Sequence, residues 1–258
     1  MNQVRGKTIW ITGASSGIGE AVAARLAQAG NFVIASSRSE QKLESLKARF
    51  PSHIALLACD VGNADSMAEA AKKLADITDF LDIVIVCAGT CEYDDGPKLD
   101  EAMYQRVMQT NFFGALATIR TALPLLRQAK EKPLLVGVGS IVMRAAFPRA
   151  EAYGASKAAF DYLFQALKID LLDQRIDVTL VRPGFVDTPL TQQNDFDMPF
   201  IVNTDRAATD IVRGISRRAT FVEFPKRLSF ILKLAHVFPR FWLSCIAPAL
   251  RKKTNEYP

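Results

Sequence analysis

Tyr153 and Lys157 stand four residues apart in the run Tyr153-Gly154-Ala155-Ser156-Lys157. On a helix that spacing brings both side chains to one face. An unperturbed phenol, with a pKa of about 10, is a poor base at neutral pH, and a neighbouring ammonium favours its ionised form. Bringing it near 7 takes roughly three pKa units, or about 4 kcal/mol, from Lys157 and a second positive group together. Such a pair could give a proton to a substrate oxygen or take one away. A tyrosine packed on a lysine stem has the same spacing, so residues elsewhere in the chain have to decide.

A second constellation is the turn Thr12-Gly13-Ala14-Ser15-Ser16-Gly17-Ile18-Gly19, which follows a short apolar run and opens an apolar-periodic stretch. Strand, glycine turn and helix N-terminus together bind a pyrophosphate, because free N–H groups and the positive helix end face the anion. Glycine is needed where backbone must approach the phosphates or turn with positive φ. The spacing is G-x-x-x-G-x-G, different from the G-x-G-x-x-G of other dinucleotide folds.

The elements that must hold these residues alternate along the chain. Strands are predicted at Thr8 to Ile11, Phe32 to Ala35, Ile54 to Leu57, Ile83 to Val86, Leu134 to Val138 and Val178 to Val181, with a seventh at Phe221 to Phe224. Helices are predicted at Gly17 to Ala29, Glu40 to Arg49, Asp65 to Asp76, Met103 to Gln128, Ala152 to Asp173 and Asp205 to Arg217, with Gly30 and Pro51 closing the first two. The expected fold is α/β: a Rossmann-like, doubly wound, mainly parallel seven-stranded sheet with helices on both faces. No repeat or long Gly/Ser linker divides the 258 residues, so a single domain is expected over 1–258. Within it, residues 7–190 would form the cofactor and catalytic core. The polar stretch 187–203 would be a substrate loop, and 225–251 an apolar, basic C-terminal segment.

The glycine spacing resembles the short-chain dehydrogenase/reductase family, whose first turn reads T-G-x-x-x-G-x-G, and the resemblance extends from about residue 7 to about 190. It is carried also by Tyr153 and Lys157, by Ser140 thirteen residues before the tyrosine, and by Asn111 in Thr110-Asn111-Phe112-Phe113-Gly114. The resemblance implies hydride transfer between a nicotinamide and a carbonyl/hydroxyl pair. In that reading Tyr153 moves the proton and Ser140 holds the reacting oxygen. Lys157 holds the nicotinamide ribose, and the cofactor's positive ring joins it in acidifying the phenol. Asn111 supports a water that links the lysine to solvent. It also implies cofactor contacts from Gly13, Ser15, Ser16, Gly17, Ile18 and Gly19, from Asp60 and Val61, from Ala88 and Gly89, and from Pro183, Gly184, Val186 and Thr188. Cys87 stands where the family carries Asn, which removes one side-chain hydrogen bond. About 20 residues past the glycines, where a dinucleotide fold meets the adenosine ribose, the chain reads Ala35-Ser36-Ser37-Arg38 with no acid. A guanidinium pairs with a 2′-phosphate through two hydrogen bonds, whereas an acid would repel it. The expected cofactor is therefore NADP(H).

Composition bounds the remaining partners. A hydrophobic share of 49% with 23% charged residues suits a compact fold. The net charge of +5 is spread among interleaved acids and bases over the first two hundred positions, which argues against nucleic acid. Cys59, Cys87, Cys91 and Cys245 form no paired framework, no metal site is expected, and a reducing, cytoplasmic setting is read. Phe147, Phe185, Phe196, Met198 and Phe200 point toward an apolar pocket and a hydrophobic carbonyl or alcohol substrate. From Pro225 to Leu250 the chain is unusually apolar but broken by Lys233, His236, Pro239, Arg240 and Pro248, so a spanning helix is not expected. The segment is read as helices covering the pocket or a subunit contact, with a peripheral seat on a membrane surface as the alternative. Resemblance implies a homodimer or homotetramer through the two long helices. Two other readings of the whole stay open: a non-catalytic NADP(H)-binding regulator, and a membrane-surface-associated reductase of lipid-like substrates.

Overall fold

The computed structural model describes residues 4–94 and 99–251. Seven strands, β1 (Thr8–Thr12), β2 (Phe32–Ser37), β3 (Ile54–Ala58), β4 (Ile83–Val86), β5 (Leu134–Val138), β6 (Asp177–Pro183) and β7 (Phe221–Phe224), make one sheet. Their order is β3-β2-β1-β4-β5-β6-β7, and every pairing is parallel. The order reverses between β1 and β4, which opens a crevice beyond their carboxyl ends.

The strand sequences are apolar throughout because both faces of the sheet are covered. On one face, Ile9 and Ile11 of β1 pack with Val22 and Leu26 of α1 (Gly17–Gln28), Leu43 and Leu46 of α2 (Glu40–Arg49), and Ile211 of α7 (Thr204–Ser216). On the other, Trp10 packs with Met67 and Leu74 of α3 (Ala64–Ile77), Ile119 of α5 (Gly114–Leu126), and Phe160 and Phe164 of α6 (Glu151–Asp170). Each such side chain, fully buried, contributes roughly 1.5–3 kcal/mol. The indole of Trp10 keeps its polar handle satisfied by donating from Nε1 to Ser36 Oγ at 2.8 Å.

The helix expected over Met103 to Gln128 is interrupted. α4 (Glu101–Met108) and α5 are joined by a π-helical turn, Gln109–Phe113. The wider turn inserts a residue into the helical register, and it holds Asn111, which is fully buried. Hydrophobic periodicity carries on through both halves and conceals the break. The stretch 187–203 is a loop with one 3₁₀ turn, Thr191–Gln193, and it is closed at its base by a parallel bridge between Val186 and Val202.

After β7 the chain forms α8 (Lys226–Val237), bends by 102°, and continues in short helical turns to Leu250. Leu228, Leu232, Ala235, Trp242 and Ala247 bury themselves against Ile141, and Trp242 Nε1 donates to the Ala146 carbonyl at 2.7 Å. No single helix among the described residues is long and apolar enough to cross a membrane.

A buried charge cluster ties this segment to the sheet. Arg182 of β6 donates to both oxygens of Asp161 in α6, at 2.6 and 2.9 Å, and to Glu223 of β7 at 3.0 Å. Glu223 also accepts from Arg144, from Ser229 Oγ at 2.7 Å and from Lys233 at 2.6 Å. Burial alone would raise the Glu223 carboxyl, but hydrogen bonds from Lys233, Ser229, Arg144 and Arg182 outweigh it and hold it down at about 2. Against an ordinary value of 4.5, this group stabilises the fold above that pH, and the contribution is lost as pH falls toward 2. Glu223→Gln should therefore cost on the order of 3 kcal/mol at neutral pH, since Arg144 and Lys233 lose their counter-charge and Arg182 keeps only Asp161. In urea melts the gap to wild type should close on acidification below 4.5. A gap that stays constant would show that ionisation of Glu223 is not what the cluster contributes.

Candidate active site

The glycine turn is dictated by close backbone approach. Gly13 has φ +74, and a Cβ there would lie 2.8 Å from the Ala88 backbone. A Cβ at Gly19 would lie 2.1 Å from the Gly13 carbonyl oxygen. Helix α1 is thus pressed end-on against the tips of β1 and β4, with its free N–H groups directed to the crevice. Thr12 Oγ1 fastens the two tips by accepting from the N–H of Cys87 at 3.3 Å and of Ala88 at 3.4 Å. That hydroxyl steadies the position where Cys87 replaces the family's Asn.

Beyond the turn lies a cleft of about 360 Å³. Its lining includes Gly13, Ser15, Ser16, Gly17, Ile18 and Gly19 of the turn, then Arg38, Asp60, Val61, Ala88, Gly89, Tyr153, Lys157 and Thr188. Pro183, Gly184 and Val186 are not part of that lining. Pro183 ends β6 in the core, Gly184 packs on Ile141, Leu228 and Pro225, and Val186 joins the apolar layer beneath α1. Thr188 reaches the cleft from the same segment because its methyl sits over Gly17. At the far rim Arg38 is exposed, and Lys42, from the first turn of α2, lines the cleft with it. Neither cation has a carboxylate partner among the described residues. Lys42 escaped the sequence reading, although its place four residues after Arg38 could have signalled it.

Tyr153 and Lys157 line the other end, and Ser140, next to the lining residue Gly139, stands just outside the lining. Ser140 follows β5 and caps a 3₁₀ turn, Ile141–Arg144, accepting from the Val142 N–H at 3.2 Å. Its hydroxyl lies close enough to the Tyr153 phenol to favour the phenol's ionised form. Lys157 is buried, donates from Nζ to the Val138 carbonyl at 3.2 Å, and lies 5.8 Å from the ring centre of Tyr153 and 5.2 Å from that of Phe160. Asn111 does not line the cleft. Its Oδ1 accepts from the Thr90 N–H at 2.8 Å, and its Nδ2 donates to the Thr90 carbonyl and to Ser156 Oγ, both at 2.9 Å. Ser156 in turn donates to the Tyr153 carbonyl at 2.8 Å. Asn111 thereby clamps the chain after β4 to the first turn of α6. Thr12, Thr90 and Ser156 had no role in the sequence reading, because short hydroxyls carry no pattern of their own.

Electrostatics in the protein alone run against the expected acidification of the phenol. Burial holds Tyr153 well above its ordinary value, the Cys91 and Cys87 thiols add to this, and the Ser140 hydrogen bond opposes it. Burial also draws the Lys157 ammonium down to about 8, with Cys87 and Cys91 pulling the other way. The Cys87 thiol is pushed up to about 11 by burial, so it remains a neutral thiol beside the lysine.

On the substrate side, Phe196 meets Tyr93 edge-on at 5.6 Å and Phe185 at 6.1 Å. Phe147 packs on Trp242 at 5.3 Å. Arg149 lies over Tyr93 and pairs with Asp195 at 2.6 Å, tying the loop to the turn before α6. Met198 receives a hydrogen bond from Asn194, whereas Phe200 is exposed with φ +60, outside this aromatic group.

Residues 7–198 match the model of the short chain dehydrogenase family. The chain belongs to the short-chain dehydrogenase/reductase family. It is 32% identical over 254 residues to an uncharacterized oxidoreductase of Myxococcus xanthus, covering 97% of this chain and all of that one. A short chain dehydrogenase from Burkholderia cenocepacia, solved in complex with NADP, superposes with a TM-score of 0.81 at 22% identity, over 97% of this chain and 100% of that one. A short chain dehydrogenase/reductase from Burkholderia phymatum, solved in complex with NAD, gives 0.84 at 19%, with full coverage of both. At those identities the two structures share the fold. As a member of the short-chain dehydrogenase/reductase family, this chain is an oxidoreductase served by a nicotinamide dinucleotide. The turn fits that group, since backbone N–H groups front the cleft where any Cβ at Gly13 or Gly19 would meet backbone.

The contact distances separate two glycines of this family member. Gly19→Ala should destabilise the chain by at least about 2 kcal/mol through the forced shift of α1, and should weaken dinucleotide binding in fluorescence titration. Gly154→Ala, whose Cβ would meet nothing within 4 Å, should leave both unchanged. Equal behaviour of the two variants would remove the close-approach argument.

Proposed function

We propose that this short-chain dehydrogenase/reductase is an NADP(H)-dependent enzyme that interconverts a carbonyl and a hydroxyl on an apolar small molecule. The observation that carries the reaction is the Tyr153 phenol at the end of the cleft, with the buried Lys157 Nζ 5.8 Å from its ring centre and Ser140 close by. The two cations at the opposite rim, Arg38 and Lys42, have no carboxylate partner among the described residues and support NADP(H): a 2′-phosphate there would gain charge-assisted bonds, and no acid stands at the end of β2 to prefer a free ribose.

In carbonyl reduction the bound nicotinamide supplies the hydride to carbon. Ser140 donates to the substrate oxygen and orients it, and Tyr153 gives that oxygen its proton. The phenol carries its proton at neutral pH, and Lys157 with the positive ring of the oxidised cofactor would favour the phenolate left when that proton is given up. In the reverse direction Lys157 stabilises the phenolate that forms, and it also holds the nicotinamide ribose. Asn111 is a positioning residue that fixes the start of α6, and it supports a water between Lys157 and solvent. Gly13, Ser15, Ser16, Gly17, Ile18, Gly19, Asp60, Val61, Ala88, Gly89 and Thr188 hold the dinucleotide, while Pro183, Gly184 and Val186 shape the nicotinamide end from behind.

Tyr93, Phe185 and Phe196 favour a hydrophobic substrate. The exposed apolar residues Phe113 and Leu116 on the π turn and α5, with Tyr162 and Ile169 on α6, support assembly into a homodimer or homotetramer. A regulator without turnover would need no phenol beside a buried lysine at the cleft's end, which favours the enzyme.

Screening aldehydes and ketones by loss of NADPH fluorescence tests the reading. Tyr153→Phe should bind NADPH with wild-type affinity and lose turnover by roughly a hundredfold or more. Undiminished turnover would exclude Tyr153 as the proton donor. Arg38→Asp should shift the ratio of kcat/KM values toward NADH by at least about tenfold. An unchanged ratio would defeat the cofactor assignment.

A further inference from the structure

The C-terminal segment exposes an apolar surface that the oxidoreductase reading does not use. Nine of the twenty exposed large apolar side chains among the described residues fall between Phe230 and Leu250. Phe230, Val237, Phe238 and Phe241 are each about 60% exposed: 63, 66, 58 and 61% in that order. A surface of this kind on a soluble monomer marks an interaction site. The inward face of α8 accounts for the segment's packing through Leu228, Leu232 and Ala235; these outward residues contribute nothing to it.

The charge around them has one sign. No Asp or Glu occurs from residue 224 to residue 251, whereas Lys226, Arg227, Lys233, Arg240 and Arg251 do. Lys233 is paired with Glu223. Lys226, Arg227, Arg240 and Arg251 are exposed and have no carboxylate partner among the described residues. Lys252 and Lys253 lie outside the described residues. Exposed apolar side chains interleaved along the chain with exposed cations match the chemistry of a lipid surface with anionic headgroups, where the rings enter the acyl boundary and the cations meet the phosphates.

Two other occupants fit less well. A second copy related by a twofold axis would set this patch against itself, bringing unpaired cations onto unpaired cations. Insertion across a bilayer would require stripping α8 from Ile141 and Glu223 and straightening the 102° bend.

The geometry points to α8 and the following turns as a docking surface for an anionic lipid bilayer, seated in the headgroup region and not spanning it. The inward face of α8 rests on Ile141, the residue after Ser140. A docked chain therefore carries its reaction centre close to the lipid interface. The inference goes beyond the oxidoreductase reading and does not rest on it.

Flotation of the full chain with phosphatidylcholine vesicles, with and without phosphatidylserine, is the test, and its readout is independent of turnover. The chain should float with the anionic vesicles, stay below with the neutral ones, and be released by high salt. Lys226→Ala with Arg227→Ala should lower partitioning roughly 30-fold. Phe238→Ser with Phe241→Ser should abolish flotation. Both double variants change only exposed side chains, so unaltered melting temperature and NADPH binding confirm that they fold. A full chain that remains below with phosphatidylserine vesicles overturns the inference, as does its pairing through the tail in light scattering without any flotation. Equal flotation with both vesicle compositions, or wild-type flotation of either double variant, overturns it too.

Discussion

Removing an ammonium from water costs several kcal/mol unless oxygen atoms and charges around it compensate. Lys157 is 5% exposed, and the architecture of the site is what makes that burial tolerable. The end of β5 turns the Val138 carbonyl toward Nζ, and the faces of Tyr153 and Phe160 offer their negative quadrupoles. An ammonium has three protons, and among the described residues one of them has a protein acceptor. The others are available to hydroxyls in the cleft. The residue that is hardest to bury is thus also the one left with bonding capacity where the dinucleotide would lie.

The same constraint explains the π turn. A regular helix from Glu101 to Leu126 would have no extra residue at Gln109–Phe113. With it, Asn111 reaches both Thr90 and Ser156. The amide joins the chain after β4 to the first turn of α6, so Lys157 and Tyr153 are registered against the sheet from two directions. A local loss of helical regularity is exchanged for alignment of the reacting groups.

Much of this was legible in the chain. The apolar runs at Thr8 to Ile11 and Ile83 to Val86 read as buried strands because a sheet covered on both faces needs no polar alternation, and the glycine turn read as a cradle because it follows the first strand and opens a helix. The π turn was hidden, since periodicity continues on both sides of it. So was the Arg182, Asp161 and Glu223 cluster, whose members are 21 and 41 positions apart and come together only through the order of β6, β7 and α6. The upward push that the protein alone gives the Tyr153 phenol was hidden for a physical reason. Helix spacing reveals that Lys157 is near the phenol, but not that both groups are buried, and burial outweighs their proximity.

The Glu223 cluster gives α8 two sides with different obligations. Inward, Ser229 and Lys233 complete a carboxylate that also holds Arg144, three residues beyond Ile141, so changes there would be felt in the placement of Ser140. Outward, Phe230 and Val237 touch no part of that network and are free to differ. Close relatives built on this plan could therefore trade one cellular address for another by altering a few outward side chains, while the chemistry of the crevice stays as it was.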